Sequence, residues 1–395
     1  MRIRRATRND LPRLLEIHLA AYPDDLGLAA RQRNFTHPPF GDLNDLIVVE
    51  MKKDIVAHAF LFRLESAFGG RPVQVGGIAS VAVAPEARGR GVAGKLIEHL
   101  HAVSDARGDA VTMLYPFRQG FYTRLGYAPT SCRKRLMIDT RSIPASWRDD
   151  RVRAMRPSDR SRIRALHARG VARASGALSR SSSYWEKLFL RERRMHLVCG
   201  DGPKRLTGYV AFAIVQPELH GETIVEVEEM IADDDASRWG LFAALSSMRD
   251  QADEIVIDLA EDDPLDRALI DPDARRHGTK AASHVLGEIT LGPMVRLADV
   301  ARSIEARGYK EDGIFDIVAD GMPLGVRVQD GRATIISPQG RLALRASRVG
   351  LAAVLYGGLA ASDASALGLV TVDAPLLARL DRLLRLPPIA PTDPF

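Results

Sequence analysis

Arg88-Gly89-Arg90-Gly91-Val92-Ala93-Gly94 stands between an apolar run, Ile78-Ala79-Ser80-Val81-Ala82-Val83-Ala84-Pro85, and a helical pattern from Val92 to Val103. A strand that passes through a Gly/Arg turn into a helix aims several backbone N–H groups at one place. The positive end of the helix dipole lies there too. Gly89 and Gly91 have no Cβ, so the backbone can close on an anion, and Arg88 and Arg90 add charge. A pyrophosphate is the natural guest. G-x-G-x-x-G is absent and no Gly-Lys-Ser/Thr follows, which excludes the dinucleotide fingerprint and the P-loop.

The elements around the turn alternate. Residues 2–6 predict a strand. Asn9-Asp10 then cap a helix with Leu11, Leu14, Leu15, His18 and Leu19 on one face. Tyr22 to Asp45 is a long Pro/Asp/Gly-rich segment. Strands are predicted at 46–50, 55–64, 73–84 and 111–115, and a short helix at 121–125 is stopped by Gly126. Such alternation around a central sheet predicts an α/β sandwich. A boundary falls near 140–150, where Pro144 and Trp147 sit among charges.

A second, similar order of elements follows. Helices are expected at 158–173, 185–194 and 238–251, and strands at 196–199, 206–215, 223–231 and 254–259. At the turn equivalent to Arg88–Gly94 the sequence reads Asp233-Asp234-Asp235-Ala236-Ser237-Arg238-Trp239-Gly240. Three carboxylates stand where a phosphate needs donors, and their repulsion predicts a copy that has lost its cofactor site. From about Gly292 a third unit is expected. It has helices at 295–307, from 351 to 356, at 362–367 and at 375–386, the last capped by Asp373, and strands at 314–319, 324–329 and 333–337. The expected domains are thus 1–149, 150–291 and 292–395.

At 395 residues the chain exceeds one ordinary core. Its 46% apolar and 27% charged residues are those of a soluble globular protein, and no apolar run is long enough to span a membrane. Met1-Arg2-Ile3-Arg4-Arg5 lacks a signal-peptide core. Cys132 and Cys199 make no metal motif and read as reduced thiols, so the compartment reads as cytoplasmic. The net charge of +5 permits a nucleic-acid partner. The arginines, however, alternate with acids and apolar residues and form no basic stripe, so none is expected. Histidine spacing shows no metal site.

With these residues in hand, the chain resembles the Eis-type GNAT N-acetyltransferases along essentially its whole length. The turn matches their [Q/R]-x-x-G-x-[G/A] pattern as Arg88-x-x-Gly91-x-Ala93, after Val81-Ala82-Val83-Ala84-Pro85. Gly120-Phe121-Tyr122-Thr123-Arg124-Leu125-Gly126-Tyr127 and a terminal Phe395 are the other matches. The resemblance implies an α/β (α+β) fold of tandem GNAT domains, the second degenerate, plus a C-terminal domain like sterol carrier protein. It implies that Val81, Ala82 and Val83, with Arg88, Gly89, Arg90, Gly91, Val92 and Ala93, hold acetyl-CoA. It makes Tyr122 the general acid and the carboxylate of Phe395 the general base. It also implies a homo-oligomer, a hexamer in this family, and small polyamines such as aminoglycosides as acceptors. Gly89 departs from the family, where Arg is frequent, which removes one phosphate contact and leaves the backbone cradle. A protein-lysine acetyltransferase and a non-catalytic acyl-CoA or lipid-binding module are the alternatives.

The chemistry agrees with this assignment. Many GNAT enzymes carry a Glu base on the strand before the turn, but Val73 to Ala84 holds no Asp or Glu. The base must come from elsewhere, and a tail stiffened by Pro387, Pro388, Pro391 and Pro394 loses less entropy when fixed. A phenol stays protonated at neutral pH and can give its proton to a thiolate. Tyr127 reads as core, and Tyr115 is left open as a second candidate. Asp24, Asp25 and Glu65 are the carboxylates that could draw in a cation.

Overall fold

The computed structural model describes residues 1–395 except 24–26, 131, 192, 201, 203–204, 217–222, 271–284, 341, 388, 390–392 and 394. The first part comprises β1 (Arg2–Arg5), α1 (Leu11–Ala21), α2 (Leu28–Thr36), β2 (Leu46–Met51), β3 (Asp54–Phe68), β4 (Arg71–Val83), α3 (Val92–Ala106), β5 (Val111–Leu114), α4 (Gln119–Thr123) and β6 (Ala128–Pro129). Next come β7 (Cys132–Asp139), β8 (Arg153–Ala154), α5 (Arg160–Arg173), α6 (Ser182–Phe189), β9 (Met195–Cys199), β10 (Gly208–Val215), β11 (Ile224–Ala232), α7 (Asp235–Ser246), β12 (Glu254–Ala260) and β13 (Gly287–Leu291). The last part holds β14 (Met294–Leu297), α8 (Val300–Ala306), β15 (Gly313–Ala319), β16 (Met322–Gln329), β17 (Arg332–Ile336), β18 (Ala343–Ala346), α9 (Arg348–Leu355), α10 (Ala361–Ala366), β19 (Val370–Val372) and α11 (Leu377–Leu383).

Among the described residues three sheets result, with strand orders β1-β2-β3-β4-β5-β14-β6, β13-β7-β12-β11-β10-β9-β8 and β17-β16-β15-β18-β19. The first two repeat one topology. In each, an antiparallel pair carries a bulge and its second strand then takes a parallel neighbour: β3–β4–β5 in one, β10–β11–β12 in the other. The sheets also trade strands at the joins. β7 follows the first unit in sequence but lies in the second sheet, and β14 follows the second unit but lies between β5 and β6 of the first.

The two faces of β3 show how the first layer is held. Phe60, Phe62 and Leu64 join Leu14, Ile17 and Phe35 of α1 and α2. Ala59 and Leu61 join Leu96, Ile97 and Leu100 of α3 on the other face. Fully burying a large aliphatic side chain contributes about 1.5–3 kcal/mol. The period-2 and period-3.6 patterns of these segments therefore fix which way each element turns. The helix face read from α1 is corrected in one respect: Ile17 is buried and Leu19 is exposed.

Three longer-range expectations are also corrected. The helix expected over 295–307 is a strand followed by a helix. Met294, Val295 and Leu297 are fully buried between β5 and β6, and Asp299 accepts from the Arg302 N–H to start α8. Mixed apolar spacing hid the break. The segment 22–45 contains α2, which buries Phe35. Asp373 does not cap the last helix. Its carboxylate accepts from the Ala343 N–H and from Arg345, and a short 3-10 turn at Ala374–Leu376 precedes α11. The helix expected over 238–251 begins at Asp235 because Asp234 caps it, and the one expected over 185–194 begins at Ser182 behind the cap Ser181. Both cysteines are free thiols; Cys199 is buried and Cys132 half-buried. Among the described residues no helix is long and apolar enough to cross a membrane.

Among the described residues three histidines are buried. Burial holds the pKa of His58 down at about 3, with His18 as a further cause. Burial likewise lowers His101 to about 3 and His167 to about 4. They are neutral in the fold, whereas a histidine of the unfolded chain titrates near 6.5. Between about pH 6.5 and 4 the unfolded chain binds more protons, so stability falls as pH falls through that window. Thermal melts from pH 7.5 to 5 should show a falling Tm, and His58→Phe should flatten the slope. An equally steep slope in that variant would remove His58 from the account.

Candidate active site

β4 and β5 pair in parallel only from Val75–Val111 to Ile78–Leu114. Tyr115 and Pro116 then leave the sheet, while β4 runs on to Val83. At the same place the register against β3 jumps between His58 and Phe60, and Ser80 adopts a φ of +50°. An extra residue bends a strand and sharpens its twist, and here it turns the end of β4 away from β5. A cleft of about 630 Å³ opens at the split, with Tyr22, Val81, Val83, Gly91, Phe117 and Arg118 among its walls.

The Gly/Arg turn forms the floor of this cleft. Gly89 and Gly91 hold φ values of +74° and +72°, a conformation that disfavours any residue with a Cβ. A Cβ on either would meet nothing within 4 Å, so these positions face open space. Gly91 is the N-cap of α3 and supplies no side-chain acceptor. The first N–H groups of α3 are thus presented to an incoming anion.

The equivalent helix of the second unit is closed. Asp234 caps α7 by accepting from the Ser237 N–H at 2.8 Å. Asp233 is buried under Arg169, Arg173 and Arg205. Repulsion is therefore only part of the contrast between the two turns. A carboxylate of the chain itself occupies the helix end, and another is paired with the three nearby arginines.

Arg88 is held by its own unit. Its Nε donates to Val83 O at 3.2 Å and its Nη2 to Ala20 O at 3.0 Å, which pins the ends of β4 and α1 to the turn. Arg90 is exposed on the turn. Tyr22, which sequence reasoning had left inside a variable segment, closes the cleft from α1 by donating to Val81 O at 3.1 Å. Phe117, Arg118 and Phe121, also missed, form the opposite wall. Only their place after a short strand and a proline pointed to them.

Tyr122 sits on α4 behind that wall, 1% exposed, with its ring against Phe117, Phe121 and Tyr127. Burial first, and Tyr22 second, push its phenol above the ordinary value. It therefore remains a proton donor through any neutral or mildly alkaline pH. Tyr127 is fully buried and bonded to His101 and Thr112, both at 2.9 Å, which is a core role. Tyr115 accepts from Arg133 at 2.6 Å.

Phe395 follows the strands of the third sheet in sequence but lies against the first sheet. Its ring lies 5.5 Å from that of Tyr115. A Cβ at Gly77 would come within 3.1 Å of it, so glycine there makes room for the terminal residue. Gly77 pairs with Met113, one step before the split. Phe395 thus stands beside the last paired residues of β4 and β5, on the face opposite α3. Glu65 accepts from Gln74 and Ser179 and is not among the cleft walls. Asp24 and Asp25 lie outside the described residues. Among the described residues no three metal-ligating side chains converge.

A strand split over a helix N-terminus is the acyl-CoA frame of GNAT enzymes, and comparison with known proteins agrees. Two family profiles, each described as an acetyltransferase (GNAT) domain, match residues 2–130 and 176–297. The chain is a GNAT-family acyltransferase with two such domains, the second divergent. It is similar to N-acetyltransferase Eis of Mycobacterium bovis (strain ATCC BAA-935 / AF2122/97), with 27% identity over 83% of this chain and 82% of that protein. A GCN5-related N-acetyltransferase from Kribbella flavida superposes with a TM-score of 0.81 at 25% identity, covering 100% of this chain and 98% of that one. Eis1 from Mycobacterium abscessus shares the fold, with a TM-score of 0.76 at 19% identity and coverage of 100% and 99%. The chain is thus an Eis-like N-acetyltransferase, and GNAT acetyltransferases draw the acetyl group from acetyl-CoA.

Titration calorimetry should find one acetyl-CoA site per chain. Gly91→Val places a β-branched side chain at a left-handed position facing the cleft. It should raise the acetyl-CoA Kd by about tenfold or more, a loss of about 1.4 kcal/mol or more. An unchanged affinity, or a stoichiometry of two, would contradict the contrast between the two turns.

Proposed function

We propose that the chain transfers acetyl from acetyl-CoA to primary amines of small polyamines, aminoglycosides among them. In this reading Tyr122 is the general acid and the Phe395 carboxylate the general base. The observation that carries it is the return of Phe395 to the point where β4 and β5 part, beside a pre-turn strand that has no acidic residue.

The cradle fits the cosubstrate. The backbone of Val81, Ala82 and Val83 runs along the split, and the turn from Arg88 to Ala93 with the start of α3 meets a pyrophosphate. Bound acetyl-CoA supplies an activated thioester. The Phe395 carboxylate removes the proton from the attacking amine, directly or through a water, as a new C–N bond forms. An α-carboxyl has an ordinary pKa of about 3.5. To act as a base near neutrality it needs shielding by the bound substrates, or a relaying water. When the C–S bond breaks, Tyr122 gives its proton to sulfur and regains one from solvent, so protons balance. Holding amine and thioester together supplies much of the acceleration.

Tyr122→Phe keeps the ring packing and removes one hydroxyl. Thiol-release assays should show kcat lower by about 10²–10⁴-fold with acetyl-CoA affinity nearly unchanged. A near-parental kcat would return Tyr122 to a packing role.

Extending the chain beyond Phe395 turns its carboxylate into an amide. Most turnover should be lost with little change in Tm, while an N-terminal extension is tolerated. Full activity in the extended chain, with the extension verified by mass spectrometry, would exclude Phe395 as the base. Run on aminoglycosides, linear polyamines and lysine peptides, the same assay should favour the first two. Exclusive activity on peptides would make the enzyme a protein-lysine acetyltransferase.

A further inference from the structure

Arg180 lies on the loop between α5 and α6 of the second unit, and its side chain is only 4% exposed. One side of its guanidinium meets Glu229 of β11, with Nη1 to Oε2 at 2.9 Å and Nη2 to Oε1 at 2.6 Å. The other side meets Asp393, with Nε to Oδ2 at 2.8 Å and Nη2 to Oδ1 at 2.5 Å. The guanidinium also lies over the rings of Tyr184 and Trp185. Two bidentate carboxylate pairs and two ring faces hold one side chain in one orientation. Asp393 stands two residues before the end of the chain.

The loop that carries Arg180 is itself fixed on both sides. Towards the first unit it meets β3: the Ala67 N–H donates to Ala177 O, the Gly176 N–H to Ala67 O, the Ser179 N–H to Glu65 O, and Ser66 bridges to Leu178. Towards the tail, Ser175 forms a parallel bridge with Ile389. One short loop thus connects the active sheet with the chain end. Between the diverging ends of β11 and β12 lies a cavity of about 540 Å³, and Arg180, Glu229 and Asp393 are part of its wall. This is the place equivalent to the acyl-CoA cleft of the first unit.

We infer that Arg180 and Asp393 form a latch that sets the position of the Phe395 carboxylate, so that the second unit, which lost its own anion site, serves as the clamp for the first unit's base. The inference rests on the reading of Phe395 as that base. Arg180 and Asp393 are positioning residues: they act on the reaction through the terminal carboxylate. Glu229 holds the guanidinium from behind. Burial pushes its carboxyl above the ordinary range, and its two hydrogen bonds to Nη1 and Nη2 do not involve the tail.

The test uses the full-length enzyme with acetyl-CoA and a small polyamine. Asp393→Ala changes only the tail and leaves Arg180 paired with Glu229. A displacement of about 1 Å at a reacting group costs about 10²-fold in rate. The expected result is a kcat lower by about 10²-fold, an unchanged KM for acetyl-CoA and a Tm close to the parent's. Arg180→Lys keeps the charge without the fork and should give a smaller loss. In a chain lacking Phe395, Asp393→Ala should lower the residual rate no further, because the group it positions is gone.

Hydrogen exchange in a peptide spanning Ile389 to Phe395 should accelerate in both latch variants. A kcat within twofold of the parent in Asp393→Ala would overturn the latch, and so would an equal loss with and without Phe395. Removing Phe395 alone tests the base separately. If that enzyme keeps full activity, the base assignment has failed, whatever the latch variants do.

Discussion

Four residue pairs of parallel ladder between β4 and β5, and then a parting, create the space that the rest of the first unit surrounds. Backbone N–H and C=O groups that leave a ladder must find other partners. Where β4 runs on without β5, side chains of the first unit take up part of this need: Tyr22 donates to Val81 O and Arg88 to Val83 O. The bulge at Ser80 aims the strand, the glycine turn and the start of α3 form the floor of the opening, and Phe117 and Phe121 form one of its walls. None of these parts would be useful if the two strands stayed together.

The turn and its two flanking elements were legible in the sequence because their signals are local. Glycine freedom, apolar alternation and helical spacing all lie within twenty residues of Gly91. Tyr122 and Phe395 were named through resemblance, and the structure adds where they stand. What stayed hidden depended on distant pairing. Val295 and Leu297 fit a helical pattern as well as a strand until β5 and β6 claim them. Tyr22 gains a role only because Val81 lies across from it. No local pattern joins Arg180 to Asp393, since each charge is ordinary in its own surroundings and the pair exists only through the fold.

The two GNAT units show how one framework diverges. Both keep the bulged strand, the split pair and the helix after it. The first leaves the helix end open behind Gly91. The second closes it with Asp234 and commits Asp233 to three arginines. Closing a helix end with the chain's own carboxylate stabilises that unit by a cap worth about 0.5–2 kcal/mol. The open end of the first unit forgoes that gain, which is the usual relation between a binding site and a structural copy of it.

The exchange of β7 and β14 between the sheets has a consequence for how the molecule is made. Val111 pairs with Leu297, and Leu136 with Gly287. The first sheet therefore lacks its penultimate strand, the one between β5 and β6, until most of the chain has left the ribosome. Pairings of such high sequence separation slow folding, and an unfilled position beside β5 exposes a sticky strand edge meanwhile. Cutting the gene between the two GNAT regions would not yield two smaller folded proteins. With the cut after β7, each fragment would carry one strand that belongs to the other and lack one that it needs.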